Sequence, residues 1–334
     1  MPRARQSRGC FASVRVVNIL VTGGAGFIGS HLCERLLRQR HHVWTLDDLN
    51  DYYDPAIKQG RLRHLQALAK PFTFIHGDIT NRTAVDELFA SVPFDQMIHL
   101  AARAGVRPSL LDPVLYARVN VEGTVNLLEA ARQRGVKKVT IASTSSVYGT
   151  NSKLPFSEAD PIFTAISPYA SSKLACESLG HVYHHIYGMD VCVLRFFTVY
   201  GPRQRPDLAI YKFCKLVAAG KPIPVFGDGS SSRDYTYVDD TVDGITAAAT
   251  REFGYEVINL GGSQPVKLDD MIALLEKELG KKAILDRQPM QPGDVPVTFA
   301  NIEKAQRLLG YNPQIKIEEG IRRFVAWFRE AHAL

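Results

Sequence analysis

Cysteine is scarce in this 334-residue chain, and the five present (Cys10, Cys33, Cys176, Cys192, Cys214) are scattered, odd in number and without a CxxC pair. Neither a disulfide framework nor a zinc site is indicated, and a reducing cytoplasm is the expected setting. Cys33 and Cys176 sit in helix-patterned stretches and read as small core residues. Long apolar runs are missing as well. The first sustained one, Val16–Val21, is too short to cross a bilayer, and nothing before it has the apolar segment and small-residue cleavage site of a secretory signal. Acid is missing from the start of the chain: Arg3, Arg5, Arg8 and Arg15 carry four of the net +6 charges, leaving +2 for the remainder. That balance gives no support to nucleic-acid binding, and residues 1–14 are expected to be a disordered leader. No internal repeat or low-complexity tract is present.

Apolar residues, 46% of the chain, are ample for a full core. From Val16 to about Phe197 short apolar runs alternate with stretches of helical period. The runs are Val16–Thr22, His42–Asp47, Phe72–His76, Gln96–Leu100, Val139–Ser143 and Val191–Phe196, with helices predicted over Phe27–Arg40, Thr83–Ala90, Pro113–Arg134 and Pro168–Tyr187. Repeated strand–helix–strand units with right-handed crossovers predict an α/β fold, a Rossmann-like doubly wound parallel sheet. Beyond Gly201 proline and glycine become frequent and helices shorten, which marks a smaller C-terminal α/β lobe. Glu256–Leu260 followed by Gly261-Gly262 resembles a strand returning to the main sheet, so the lobes interleave. The expected division is 15–198 with a returning segment near 236–264, against 199–235 plus 265–332.

The run ending at Thr22 leads into Gly23-Gly24-Ala25-Gly26-Phe27-Ile28-Gly29 and then into helix-patterned sequence. Gly23 permits a tight turn, Gly26 lets backbone approach a pyrophosphate, and Gly29 lets helix and strand pack closely, with helix-start N–H groups facing the phosphates. Asp47, at the end of the next strand, is placed to accept hydrogen bonds from ribose hydroxyls and to repel a 2′-phosphate. NAD is therefore expected over NADP.

Tyr169 and Lys173, four apart in a helix opened by Ser167-Pro168, project from one face. A lysine ammonium beside a phenol, with the positive nicotinamide, lowers the tyrosine pKa and makes Tyr169 a general base. Tyr211 and Lys215 have the same spacing but no hydroxyl-bearing strand end before them, and read as a helix surface pair. Tyr169 follows a strand ending in Ser143-Thr144-Ser145-Ser146, where a parallel sheet forms its ligand crevice.

Taken in order, Gly23-x-x-Gly26-x-x-Gly29, Gly77-Asp78-Ile79, His99-Leu100-Ala101-Ala102, Asn120, Ser143 to Gly149, Tyr169-x-x-x-Lys173 and Arg233-Asp234-Tyr235 resemble the extended short-chain dehydrogenase/reductase family of nucleotide-sugar epimerases and dehydratases, from about residue 16 to 330. The resemblance implies that Phe27 and Ile28 cover the pyrophosphate, that Asn50, Asp78 and Ile79 serve the adenosine end, and that Leu100, Ala101, Ala102, Arg103 and Asn120 line the NAD channel. It makes Thr144, Tyr169 and Lys173 the catalytic set and packs Phe196 by the nicotinamide. Asn120 also reads as a helix-face hydrogen bonder and His99 as a satisfied strand-end histidine.

Such proteins oxidise a sugar hydroxyl reversibly and differ in how the resulting keto sugar is handled. Dehydratases of the family resemble one another in an acidic pair after the threonine, and UDP-xylose synthases in a glutamate before Val-Tyr-Gly. Here those places hold Ser145 and Ser146, which disfavours dehydration. The segments Leu49–Pro55, Ala104–Arg107, Phe197–Asp207 and Met290–Pro296 resemble the UDP-glucuronate 4-epimerase branch. Thr198 and Gln291 stand where UDP-galactose 4-epimerases have asparagine and arginine. The expected function is NAD-dependent 4-epimerisation of a UDP-sugar, UDP-glucuronate to UDP-galacturonate by this resemblance. Arg203, Arg205 and Arg233 are expected on the diphosphate, Asp294 on the uridine ribose, and Thr144, Ser145, Ser146, Thr198 and Arg107 on a sugar carboxylate. UDP-glucose 4-epimerase, UDP-xylose synthase and a non-catalytic NAD-binding protein remain as alternatives. By the same resemblance, the helices near 113–134 and 168–187 imply a homodimer.

Overall fold

Unbroken apolar runs become strands because both faces of the sheet they build are covered. The computed structural model describes residues 16–162, 164–290 and 293–333, so the expected leader, Cys10 and Gln291 lie outside the described residues. In chain order the strands are β1 (Asn18–Thr22), β2 (His42–Asp47), β3 (Phe72–His76), β4 (Gln96–His99), β5 (Lys138–Thr144), β6 (Asp190–Phe196), β7 (Thr198–Tyr200), β8 (Ile223–Phe226), β9 (Ser232–Tyr237), β10 (Tyr255–Leu260), β11 (Pro265–Lys267) and β12 (Leu285–Gln288). Seven of them form one wholly parallel sheet in the order β10-β6-β5-β4-β1-β2-β3. The strand expected to return does so as β10, beside β6. The chain leaves β1 toward β2 on one side and β4 on the other, and this reversal opens a crevice at the carboxyl ends of the strands. Sheets β11-β9-β7 and β12-β8 stand beyond that crevice.

Helices bury opposite faces of the sheet. On one side Leu32 and Leu36 of the Phe27–Arg38 helix join Val242 and Ile245 of the Val238–Ala249 helix; on the other Leu88, Leu127, Leu128 and Cys176 pack together. No helix among the described residues is long and apolar enough to cross a membrane.

Two expectations change, and one helix was not foreseen. The helix predicted over Pro113–Arg134 is broken into Pro113–Tyr116, a π-helical stretch Ala117–Glu122 and Gly123–Gln133. The wider turn carries the buried Asn120, and π-bulges are often retained for such a purpose. A helix at Pro55–Ala67 was not legible as an apolar stripe, because two of its four buried side chains are Lys58 and Arg61. Its start is nonetheless marked by Asp54, which accepts from Ala56 N, and by Pro55 at the first turn. Tyr211 is no surface residue: it is buried among Phe324, Trp327 and Phe328, with its hydroxyl 2.8 Å from His332 Nε2, and only Lys215 faces out.

One carboxylate ties the β11-β9-β7 sheet to the segment leaving β10. Asp234, fully buried on β9, accepts from the backbone N–H groups of Gly262 (2.6 Å), Ser263 (3.0 Å) and Ala300 (2.9 Å). Burial nevertheless pushes its carboxyl up to about 6, with the three amides opposing. Asp234→Ala leaves three donors unsatisfied and should lower stability by about 3 kcal/mol or more in denaturant unfolding. A loss below about 1 kcal/mol would show that water replaces the carboxylate at no cost.

Candidate active site

The crevice is a cavity of about 380 Å³ floored by the Gly-rich turn. Gly23 has φ +74°, and a Cβ there would come 2.8 Å from Ala101 N; one at Gly29 would collide with the Gly23 carbonyl. Only glycine lets the β1 exit pass so close to the β4 exit. The Phe27–Arg38 helix starts at Gly26 without a side-chain cap, and Phe27, Ile28 and Gly29 line the cavity. Uncapped N–H groups, the positive helix end and the absence of side chains fit a dinucleotide pyrophosphate.

Every residue expected to hold the dinucleotide lines this cavity except Asn120. Asp47 accepts from Ala25 N (3.1 Å) and Leu49 N (3.0 Å), so it shapes the turn while keeping lone pairs for a ribose. Burial raises its pKa and the ammonium of Lys58, 3.8 Å away, opposes that shift. Asn120 lies beneath the surface. Its side chain accepts from Arg103 N (2.8 Å) and donates to Arg103 O (3.0 Å) and Ser172 Oγ (2.9 Å), pinning the channel wall to the Pro168–Tyr187 helix.

His99 is fully buried, its ring nitrogens hydrogen-bonded to hydroxyls, and pushed down to about 3 by burial and then by Lys173. Its neutral tautomer is set by its neighbours. Thr124 Oγ1 donates to Asn120 O (2.5 Å) and so accepts from His99 Nε2–H (3.0 Å); Nδ1 then accepts from Thr22 Oγ1 (2.7 Å), which in turn accepts from Ala101 N (3.2 Å). One chain of bonds runs from β1 through β4 to the π-helical stretch.

Thr144 ends β5, Tyr169 and Lys173 stand in the first two turns of the Pro168–Tyr187 helix, and all three line the cavity. That helix is capped by Ser167, whose hydroxyl accepts from Ala170 N (3.1 Å). Lys173 is buried and donates to Ala142 O (2.9 Å); burial lowers its pKa, opposed by Cys176 and Glu177. Tyr169 departs from the expected lowering. Burial raises its phenol above 10, and a hydrogen bond with Thr144 only opposes the shift. Burial thus outweighs Thr144 and Arg205, the groups that favour phenolate, and lowering this pKa takes further positive charge beside the phenol.

Glu177, one turn beyond Lys173, lies next to this set yet is spent on structure. It forms a buried two-point pair with Arg195 (3.0 and 2.7 Å) and accepts from Ser143 Oγ (2.5 Å). Among the described lining residues the carboxylates Asp47, Asp48 and Asp78 belong to the turn and its neighbouring loops, and none stands beside Thr144.

The expected substrate residues divide. Thr144, Thr198 and Arg205 line the cavity. Ser145 and Ser146 continue from Thr144 in a 3₁₀ turn, Ser146 N donating to Thr144 Oγ1 (3.2 Å). Arg107 and Asp294, assigned to separate parts of the substrate, pair with each other (2.6 Å), and the Arg107 guanidinium lies 4.3 Å from the Phe226 ring centre. Arg233 donates to Ser232 O (2.9 Å) and Pro296 O (3.3 Å) and lies within electrostatic reach of that pair. Arg203 is the clear correction. Its guanidinium turns to Glu34 (2.8 Å) and His31 (3.3 Å) on the first helix rather than lining the cavity, from a backbone left-handed at φ 60°. Tyr52, Tyr53 and Lys58 also line the cavity, and sequence reasoning missed all three; the Asp54-Pro55 helix start was the signal that could have found Lys58.

A doubly wound sheet with a Gly-rich turn facing a Thr–Tyr–Lys set defines a class of dinucleotide-dependent enzymes acting on hydroxyl groups. The chain belongs to the extended short-chain dehydrogenase/reductase family of nucleotide-sugar epimerases and dehydratases, and the sequence model described as GDP-mannose 4,6 dehydratase matches residues 20–324. It is 47% identical over 312 residues to a UDP-glucuronate 4-epimerase of Thermodesulfobacterium geofontis, covering 93% of this chain and 96% of that protein. The structure of a UDP-glucuronic acid 4-epimerase from Bacillus cereus, in complex with UDP-glucuronic acid and NAD, superposes with a TM-score of 0.88 at 39% identity, covering 94% of this chain and 99% of that one. A UDP-glucose 4-epimerase from Thermotoga maritima, with UDP-glucose, superposes at 0.87 with 32% identity, covering 94% and 99%.

Gly23→Ala should retain bound dinucleotide about ten-fold less tightly than wild type, read as cofactor content after gel filtration; equal content would show the turn can shift. In cofactor-free protein, the difference between ultraviolet titrations of wild type and Tyr169→Phe should show no phenol ionising below pH 10. A tyrosine lost from that range would contradict the dominance of burial.

Proposed function

We propose that the protein catalyses NAD-dependent 4-epimerisation of a UDP-sugar, interconverting UDP-glucuronate and UDP-galacturonate. The observation that carries this reading is the pairing of Thr144, Tyr169 and Lys173 on one cavity with hydroxyls, and no carboxylate, beside Thr144. The relatives that match nearly the whole chain agree with it. NAD⁺, when bound, supplies the oxidant that takes the sugar C4 reversibly to a ketone.

The residues divide the remaining work. Phe27, Ile28 and Gly29 present the turn to the NAD pyrophosphate, and Asp47 and Asn50 serve the adenosine ribose. The main sheet holds NAD, and segments 199–235 and 265–332 hold UDP. Tyr169 Oη takes the proton of the C4 hydroxyl and returns it to the same oxygen after the ketone has turned its other face. Thr144 keeps that hydroxyl and phenol in line, and Lys173 stabilises the phenolate across the helix turn. With Glu177 locked to Arg195, no acid among the described residues lining the cavity beside Thr144 is free to take the C5 proton or to protonate a leaving hydroxide.

A 4-keto glucuronate is a β-keto acid and loses CO₂ when the carboxylate bond aligns with the ketone. Thr144 on β5 and Thr198 on β7 face the cavity from two strands, with Ser145 and Ser146 adjoining, and would turn the carboxylate out of that alignment. Tyr169→Phe should lower kcat on UDP-glucuronate by about 10²–10⁴-fold. Thr198→Ala and Ser146→Glu should raise the CO₂-derived UDP-pentose measured by chromatography; unchanged leakage in both would remove the carboxylate-holding role.

The functional unit is a homodimer in this reading. Val114 (75% exposed) and Ile186 (61%) leave apolar surface on the two helical regions that the family resemblance assigns to subunit contact. Ile186→Asp should shift the mass seen by light scattering from two chains to one. A monomeric wild type would contradict it.

A further inference from the structure

Arg61 carries a buried charge that the reaction scheme does not use. It is 3% exposed, points inward from the Pro55–Ala67 helix and does not line the cavity. Its guanidinium has no carboxylate partner among the described residues. Instead Nη1 donates to Ala25 O (3.2 Å) and Tyr53 Oη (2.6 Å), Nη2 donates to Arg203 O (2.6 Å), and Nε has no acceptor. An unpaired buried cation is costly, so its retention needs a reason.

The three acceptors supply one. Ala25 lies inside the Gly-rich turn, and its N–H is held by Asp47 on the other side. Tyr53 lines the cavity. Arg203 lies two residues before Arg205, which lines the cavity from the second lobe with its guanidinium 5.3 Å from the Tyr52 ring centre. Arg203 is itself clamped to the first helix through Glu34 and His31, and its left-handed backbone turns its carbonyl to Arg61. The segment facing a dinucleotide pyrophosphate and the segment facing a sugar-nucleotide diphosphate thus share one rigid planar fork. A guanidinium fixes the separation of two carbonyls in a way that an ammonium does not. An anion brought to either segment also relieves the uncompensated charge behind both.

We propose that Arg61 is a positioning residue that couples retention of NAD to binding of the UDP moiety, by tying the Gly-rich turn at Ala25 to the Arg203–Arg205 segment. The inference rests on the function proposed above. Each ligand stiffens a segment that the other requires, and the coupling passes through the backbone carbonyls of Ala25 and Arg203.

The test measures loss of NAD from the holoenzyme, diluted into cofactor-free buffer with and without saturating UDP. In wild type UDP should slow the loss about five-fold or more, the lower bound of ordinary allosteric coupling. Arg61→Lys keeps the charge and loses the fork, and Arg61→Met loses both; in each the effect of UDP should fall below about two-fold at unchanged circular dichroism. Should Arg61→Met fail to fold, Arg61→Lys decides. A full UDP effect in Arg61→Lys, or none in a wild type that binds both ligands, overturns the coupling. Failure of the underlying reading shows separately, as a wild type that carries no NAD or turns over no UDP-sugar.

Discussion

The site depends on a buried imidazole that stays neutral. His99 occupies the point where the sheet reverses, and only an uncharged ring with its proton on Nε2 satisfies Thr22 on one side and Thr124 on the other. Through these bonds the strand entering the Gly-rich turn is held at a fixed distance from the π-helical stretch bearing Asn120, and through Ser172 from the helix bearing Tyr169 and Lys173. A protonated His99 would present two donors to a network built for one. The cavity floor and its chemical wall are therefore joined by one buried polar chain.

Charge is distributed around the cavity by function. Carboxylates gather at Asp47, Asp48 and Asp78, guanidinium groups at Arg205 and, behind the surface, Arg61; hydroxyls surround Tyr169. Among the described residues the acid next to this set, Glu177, is neutralised by Arg195. In the proposed reaction Tyr169 is then the group that exchanges a proton with the sugar hydroxyl. Burial alone does not prepare that tyrosine; its phenolate needs positive charge beside it.

Much of this was legible in the sequence. Apolar runs marked every strand of the main sheet to within two residues at either end, because a sheet covered on both faces needs unbroken apolar sequence. The Gly-rich turn and the Tyr169–Lys173 spacing were legible because tight turns and helix faces impose local periodicities. What escaped was long-range or polar. The Pro55–Ala67 helix buries Lys58 and Arg61 and so lacks an apolar stripe. The π-helical break at Ala117–Glu122 has no composition of its own and arises from where Asn120 must reach. Arg203 and Arg205 are the same residue type two positions apart, yet one pairs with Glu34 on the first helix and the other lines the cavity, a difference set by long-range partners. Asp234 sat within a recognised motif, but its three amide partners lie 28 to 66 residues away.

The central claim is that a resident NAD is reduced and reoxidised within one turnover at C4 of UDP-glucuronate. Purified protein, with no NAD added, incubated separately with UDP-glucuronate and UDP-glucose and followed by the anomeric proton signals, tests it most directly. The account predicts UDP-galacturonate from the first and little change in the second. Epimerisation of UDP-glucose alone, or turnover of neither by protein that carries NAD, would contradict it.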